Sequence, residues 1–274
     1  MPRKQKDRLI SILLNRALFD NEKDALAAVM AGDVQVRGRT PKAGEMIDVT
    51  EEIHVRSRLP YAGKGALKLG HALDAFSIDL KGRVCVDAGA STGGFTDCLV
   101  RRGAALVYAV DTGFGQLAGY LRQDERVVNL ERTNIGDSAL KDLSPRPTLG
   151  TVDLSYLSLT KAVPQFADIL HGEGELVCLV KPLFEIDDPE ARRTGIVPDD
   201  AYLPLLTGLV RYMNSLNGVR ALGVTHSPVT GNNGTREFFM HLGLGVGEGP
   251  NEAVLEDEAA VAVSRALSLA EYKK

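Results

Sequence analysis

The sequence lacks any apolar run near the ~20 residues that a membrane-spanning helix needs. Its basic start is followed by an apolar stretch that Asn15, Arg16 and Asp20 interrupt, so a signal peptide is not predicted. Internal repeats and low-complexity tracts are also missing. We therefore expect a cytoplasmic globular protein with no membrane partner.

Cysteine is scarce, and the three residues Cys85, Cys98 and Cys178 contain no CxxC spacing. An odd number of cysteines suits no secreted disulfide framework. The histidines show no metal-ligand spacing either. We expect buried thiols in a reducing compartment and no catalytic metal.

Charge of one sign is not in large excess, since the 274 residues carry a formal net charge of -4. That value argues weakly against a nucleic-acid partner. The charges are unevenly distributed, however, with 13 Lys and Arg against 9 Asp and Glu through Lys68, and the remainder is acidic. A basic front on an acidic body is typical of a protein that binds a polyanion with one end.

Residues 1–56 are predicted to form a small α+β domain. Apolar residues recur first at helical spacing and then in strand-like alternation. The predicted segments are two helices at 10–17 and 21–30, a strand at 34–36 and a second alternation at 47–55.

The join between the second helix and the first strand, residues 24–38 with the sequence DALAAVMAGDVQVRG, resembles the ribosomal-S-four type of RNA-binding domain. Taken without that resemblance, the segment fits a helical cap with a solvated basic edge equally well. The resemblance implies RNA contacts by basic residues of the following turn, of the linker and of the position directly after the linker. These are Arg37, Arg39, Lys42, Arg58 and Lys64.

After a linker at residues 57–63, residues 64–274 predict an α/β domain with a Rossmann-like sheet. Short apolar runs alternate with helical segments, which indicates a mostly parallel sheet covered on both faces. The runs lie at 84–86, 106–110, 127–130, 149–152, 176–180, 219–224 and 237–242. The last two follow each other without an intervening helix. They predict a hairpin that gives the sheet one antiparallel edge strand.

A glycine-rich turn follows the first strand of this domain, in residues 86–95, VDAGASTGGF. Glycines are needed where the chain turns tightly and a ligand approaches the backbone. Asp87 precedes the turn, and Asp111 closes the next strand, where such folds place the acid that binds ribose hydroxyls. An acid at the mouth of the loop would repel a pyrophosphate and suit a cationic ligand, which favours S-adenosylmethionine over a dinucleotide.

Four ionisable residues are expected at the rim where ligands bind, outside the carboxyl ends of the strands. Lys68 precedes the first strand, Asp153 and Lys181 each end a strand, and Glu237 enters the last strand. Taken singly, each residue also fits a purely structural role, as a solvated lysine, a helix cap or a member of a surface ion pair. Their order and their positions at strand ends favour a catalytic site.

Together these motifs resemble the TlyA family of ribosomal RNA 2'-O-methyltransferases, some of whose members are named hemolysins. The family joins a ribosomal-S-four-like domain to an FtsJ-like methyltransferase domain with a Lys-Asp-Lys-Glu tetrad. The resemblance implies S-adenosylmethionine as cofactor and ribosomal RNA, within subunits, as partner. It assigns catalysis to Lys68, Asp153, Lys181 and Glu237, and the cofactor to Asp87, Gly89, Ser91, Gly93, Gly94, Asp111 and Asn134.

The sequence departs from the family before the first tetrad lysine, where Gly63 and Lys64 replace the usual Ser-Arg. This puts the role of the linker in doubt more than the chemistry. A ribose hydroxyl must lose its proton to attack the methyl carbon, and a desolvated lysine beside a second cation can accept it. We assign the base to Lys181 and stabilisation of the developing oxyanion, or of a phosphate, to Lys68.

Two other classes of function remain open from the residues. A dinucleotide-dependent oxidoreductase can have a similar sheet, although Asp87 and the lysine pair disfavour it. A membrane-acting hemolysin is suggested by the family's other name, although the sequence shows no spanning helix and no barrel strands.

Overall fold

The computed structural model describes residues 6–16, 18–19, 22–30, 32–55, 61–231 and 234–269. The chain divides into two compact units, Met1–Pro60 and Tyr61–Lys274. Residues 61–63, which the sequence assigned to the linker, belong to the second unit. Arg58, one of the predicted RNA contacts, lies outside the described residues.

The first unit packs two helices on two small antiparallel sheets. Its core contains Leu9, Leu13, Val29, Val34 and Ile47, all fully or almost fully buried. β1 pairs with β3, and β2 pairs with β4. The elements are β1 (Lys6–Arg8), α1 (Leu9–Asn15), α2 (Glu22–Met30), β2 (Val34–Val36), β3 (Met46–Asp48) and β4 (Ile53–Val55).

The alternation predicted over residues 47–55 is two strands rather than one. Asp48 ends β3 because its Oδ1 accepts hydrogen bonds from the backbone N (3.0 Å) and hydroxyl (2.7 Å) of Thr50, which turns the chain. β4 then pairs antiparallel with β2, so only the last part of the predicted alternation, residues 53–55, pairs with the strand at 34–36. Hydrophobic periodicity does not reveal such a turn, because the turn depends on the hydrogen bonds of the Asp48 side chain.

The second unit is built on a seven-stranded sheet in the order β10-β11-β9-β8-β5-β6-β7. β5 to β9 are parallel, as the alternation of strands and helices predicted. The strands are β5 (Val84–Ala88), β6 (Leu106–Asp111), β7 (Val127–Glu131), β8 (Leu149–Val152), β9 (Gly174–Val180), β10 (Val219–His226) and β11 (Phe238–Leu244).

The sequence predicted that the antiparallel strand lies at the sheet edge, and this prediction is wrong. β11 lies between β9 and β10 and is antiparallel to both, so β10 is the edge strand. All seven residues of β11 are buried. This suits an interior strand that is covered on both faces and hydrogen-bonded along both edges.

Helices cover both faces of the sheet. Phe238 and Phe239, which point to opposite faces because strand side chains alternate, belong to the two main cores of the second unit. The three cysteines are buried in these cores, as predicted. The helices are α3 (Gly65–Ala75), α4 (Gly94–Arg101), α5 (Gly119–Arg122), α6 (Leu159–Ile169), α7 (Pro182–Glu185), α8 (Pro189–Thr194), α9 (Tyr202–Ser215) and α10 (Glu252–Ser268).

Candidate active site

The strand directions bring three of the four tetrad residues to one edge of the sheet. Asp153 follows β8 and Lys181 follows β9, at the carboxyl ends of two neighbouring parallel strands. Glu237 immediately precedes β11, and because Phe238 pairs with Val180 in the antiparallel register, this strand begins where β9 ends. An antiparallel strand can therefore contribute its first residues to the edge where the parallel strands end.

The fourth residue, Lys68, reaches this edge from α3 and forms an ion pair with Glu237. The two side chains are 11% and 7% exposed, so the pair is largely shielded from water. Lys181 forms the second pair, with its Nζ 2.5 Å from Oδ1 of Asp153. The predicted tetrad is thus a cluster of two lysine–carboxylate pairs.

Glu237 is the most buried member of the cluster. Burial raises the pKa of its carboxyl group above the ordinary value, and the nearby Lys68 and Lys181 oppose this effect. The carboxylate of Asp153 adds to the rise because two like charges repel. Loss of either lysine would therefore leave a buried carboxyl group with less compensation for its charge.

A cavity of about 210 Å³ opens beside Lys181 and Glu237. The sequence did not single out Ser155, whose hydroxyl accepts a 3.2 Å hydrogen bond from Lys181 Nζ. The rings of Tyr156 and Phe184 line the same cavity with their centroids 5.2 Å apart. Tyr156 is 90% exposed and has a left-handed φ of 68°. Hydrophobic periodicity gives no sign of this backbone conformation, so the sequence did not point to Tyr156.

The glycine-rich loop leaves no room for side chains at two positions. Gly89 has a φ of 86°, and a Cβ there would lie 2.3 Å from the carbonyl oxygen of Asp153. Gly93 has a φ of 98°, and a Cβ there would lie 2.3 Å from a methyl group of Leu121. Gly94 lies at the start of α4 against Gly65. The loop is therefore held close to the strand end that carries Asp153.

Asp87 does not face the mouth of the loop. Its side chain is fully buried, and its two carboxylate oxygens accept hydrogen bonds from the hydroxyls of Thr96 (2.7 Å) and Thr151 (2.8 Å). Burial raises the pKa of Asp87 to about 6. This corrects the geometry behind the sequence argument for a cationic ligand, since the carboxylate supports the loop from inside the protein.

Asp111 lies at the end of β6, next to the loop, as the sequence predicted. Its carboxylate accepts hydrogen bonds from the backbone N of Ser91 (2.8 Å) and of Gly113 (2.7 Å), so it joins the ends of β5 and β6. Glu131, which the sequence analysis did not assign, plays a similar part at the end of β7. Backbone hydrogen bonds from the segment 115–117 lower its pKa to about 2.

Asn134 is exposed, and its Oδ1 accepts a 2.9 Å hydrogen bond from the backbone N of Gly136. The side chain stabilises its own turn, and a contact with adenine stays a prediction. Among the predicted RNA contacts, Arg37 and Arg39 are exposed and form ion pairs with Glu51 and Glu45. Lys42 is exposed beside this turn, whereas Lys64 is half-buried at the start of α3.

The described part of the chain holds no group of three or more His, Cys, Asp or Glu residues arranged to bind a metal ion. Nor does any helix in those same ranges combine the length and the apolar character needed to cross a membrane.

Residues 61–244 match the family described as FtsJ-like methyltransferase. The 16S/23S rRNA (cytidine-2'-O)-methyltransferase TlyA of Mycobacterium tuberculosis is 36% identical over 267 residues, which span 96% of this chain and 98% of the relative. Hemolysin A of Brachyspira hyodysenteriae is 33% identical over 239 residues, 86% of this chain and 99% of the relative.

A solved structure from Streptococcus thermophilus that carries the name hemolysin aligns with a TM-score of 0.69 at 33% identity, covering 96% of this chain and 98% of that one. None of these similarities supports the dinucleotide-dependent oxidoreductase that the sheet alone left open. The resemblance inferred from the motifs is confirmed, and the chain belongs to the FtsJ-like methyltransferase family, with relatives of the TlyA type.

Proposed function

We propose that this protein transfers a methyl group from S-adenosylmethionine to a ribose 2'-hydroxyl of ribosomal RNA. The observation that carries the proposal is the cluster of two lysine–carboxylate pairs at the edge of the sheet, next to the glycine loop. The specificity named for the mycobacterial relative supports the same reaction. Ribosomal RNA as partner also implies that the protein acts in the cytoplasm.

The residues around the loop fit the cofactor. Gly89 and Gly93 let the loop pack tightly against Asp153 and Leu121, which fixes its position at the strand ends. Asp111 offers carboxylate oxygens at the position suited to ribose hydroxyls. Ser91 and Gly94 belong to the same loop, Asp87 supports it, and Asn134 is the candidate near adenine. When bound, S-adenosylmethionine supplies a methyl group already activated on a sulfonium.

Lys181 is the proposed base. Its amine, once neutral, accepts the proton of the 2'-hydroxyl, and the ammonium that forms is held by Asp153 at the same edge. Ser155 limits the directions that Lys181 Nζ can take. Lys68, fixed by Glu237, provides a positive charge for the developing oxyanion. Positioning within this rigid cluster contributes the rest of the acceleration.

We further propose that residues 1–56 form a ribosomal-S-four-like RNA-binding domain and residues 64–274 the methyltransferase domain. The exposed Arg37, Arg39 and Lys42 support RNA contacts. The side chains of Arg37 and Arg39 are 66% and 56% exposed, so both guanidinium groups are accessible to a phosphate.

The test measures tritiated methyl transfer to purified ribosomal subunits that lack the modification. Lys181→Ala should reduce turnover at least about 100-fold, the usual contribution of a positioned base. Lys141→Ala is the matched control, because Lys141 forms an exposed ion pair with Asp168 on the surface. Calorimetric binding of S-adenosylhomocysteine should be the same in all three proteins.

Alkali-resistant label at a single ribose, lost in Lys181→Ala, would support both the reaction and the role of Lys181. Normal turnover of Lys181→Ala with cofactor binding intact would contradict that role. No incorporation into either subunit by the wild type would contradict the proposed substrate.

A further inference from the structure

Arg236 stands out in the wall of the cavity beside the lysine–carboxylate cluster. It immediately precedes Glu237 and lines the cavity together with Lys181. Its Nη1 is buried and has no hydrogen-bond partner among the residues that the structure describes. By contrast, Arg83, Arg102 and Arg126 each form an ion pair with a carboxylate.

A guanidinium cannot avoid this situation by losing its proton, since it stays charged at any pH that proteins tolerate. A buried charged donor without an acceptor is unfavourable, and buried polar groups almost always have partners. The two carboxylates of the cluster, Asp153 and Glu237, are already engaged by Lys181 and Lys68. A molecule that binds in the cavity and carries an acceptor would satisfy this donor.

We propose that Arg236 binds a phosphate group of the RNA strand next to the ribose that is methylated. This inference rests on the proposed function. The cavity also has two aromatic rings in its wall, a lining that suits a nucleotide better than a small acid. Arginine is the side chain best matched to phosphate because its planar fork donates two parallel hydrogen bonds.

Arg236 lines the same cavity as Lys181 and Glu237. In RNA, the phosphates lie within a few bonds of the ribose 2'-oxygen, so one bound nucleotide can present its phosphate to Arg236 and its hydroxyl to Lys181. Arg236 is thus a positioning residue, which holds the strand so that the hydroxyl reaches Lys181. It does not itself exchange a proton or stabilise the departing sulfur.

The experiment compares wild type, Arg236→Gln and Arg236→Lys in their binding to purified 30S and 50S subunits that lack the modification. Binding is measured with S-adenosylhomocysteine present, from about 50 to about 200 mM salt. Arg211→Gln is the matched control, because Arg211 forms an exposed ion pair with Glu256 on α9 and α10. Circular dichroism melting checks that each variant is folded.

Arg236→Gln should weaken binding roughly tenfold and reduce the slope of log K against log salt by about 0.7 to 0.9, the value for one phosphate contact. Arg236→Lys should keep most of the slope, since its charge remains, but lose affinity with the bidentate geometry. Arg211→Gln should change neither quantity. An unchanged slope and affinity in a folded Arg236→Gln protein would overturn the proposal, as would an equal loss in Arg211→Gln.

The outcomes for Arg236 are separable from those for the proposed reaction. The Arg236 test compares the affinity of wild type and variants for ribosomal subunits and does not depend on methyl transfer. Failure of the proposed function is read from wild-type methyl transfer. A wild type that binds a subunit with the predicted Arg236 dependence but transfers no methyl group would overturn the reaction and keep the phosphate contact.

Discussion

At the scale of single residues, the acid at the start of the glycine loop shows what side-chain direction adds to a motif. The sequence places Asp87 at a strand end, but strand side chains alternate between faces, and a motif does not say which neighbours receive them. In the structure, Thr96 and Thr151 satisfy both carboxylate oxygens inside the protein. The residue contributes to the site by holding the loop rather than by facing its ligand.

The raised pKa of Asp87 leads to a prediction for the pH dependence of stability. The folded state binds this proton more tightly than the unfolded chain does, so the free energy of unfolding falls as the pH rises from about 4 to about 6. Asp87→Asn removes this ionisation. Relative to wild type, the variant should therefore gain up to about 3 kcal/mol between these two pH values.

The measurement is urea unfolding at both pH values, followed by circular dichroism because the chain contains no tryptophan. A difference between the two proteins that does not change with pH would contradict the prediction. Thr96→Val is a useful comparison, since it removes one hydroxyl from the carboxylate without changing the titrating group.

At the scale of secondary-structure elements, Asp97 connects three segments around the glycine-rich loop. It lies in α4 and is almost fully buried. Its carboxylate accepts hydrogen bonds from the backbone N of Ala62 (2.9 Å), the hydroxyl of Tyr120 in α5 (2.7 Å) and Arg101 Nε (2.7 Å). The guanidinium of Arg101 also lies over the ring of Tyr61, 5.1 Å from its centroid. The start of the second unit is thus attached to the helix that follows the loop.

Asp97→Ala should lower the free energy of unfolding of the second unit by about 3 kcal/mol, because it removes three hydrogen bonds, at about 1 kcal/mol each, from a carboxylate that is almost fully buried. Tyr120→Phe, which removes one of the three hydrogen bonds, should cost only about 1 kcal/mol. Urea unfolding of both variants beside wild type gives these values. Equal losses in the two variants would mean that Tyr120, rather than Asp97, dominates the connection.

Element boundaries in the second unit were largely predictable, because its strands are short apolar runs separated by helices. The position of β11 was not predictable in the same way. Periodicity identifies a strand such as residues 238–244, but the choice of neighbours depends on burial of both faces, which only the packed sheet defines. For the same reason the sequence predicted the tetrad residues but not Ser155 or Arg236, whose contacts depend on loop conformation.

At the scale of the whole molecule, the proposed functions fall in different compact units. The tetrad and the cofactor loop lie within residues 61–274, and the exposed basic turn with Arg37, Arg39 and Lys42 lies within residues 1–60. The described contacts of the proposed cofactor residues are all with other residues of the second unit.

A fragment that begins at Arg58 should bind S-adenosylhomocysteine with nearly the affinity of the full chain, since the cofactor residues are all retained. Its affinity for ribosomal subunits should fall roughly tenfold or more, as expected from the loss of phosphate contacts. Calorimetry and filter binding measure the two affinities. Replacement of Arg37, Arg39 and Lys42 by Gln in the full chain is the control that removes charge alone. An equal loss of cofactor and RNA binding in the fragment would contradict the modular organisation.

The place of β11 in the sheet also determines when the ion-pair cluster of a newly made chain can be complete. β10 is synthesised before β11, yet its ladder partner is β11, so the position beside β9 stays open until residues 238–244 have left the ribosome. Glu237 arrives with that strand, and until then Lys68 lacks the carboxylate that holds it. A nascent chain already contains the cofactor loop and both lysines, but the strand that closes the sheet also brings the last member of the ion-pair cluster. The strand that completes the sheet therefore also completes the cluster of two lysine–carboxylate pairs.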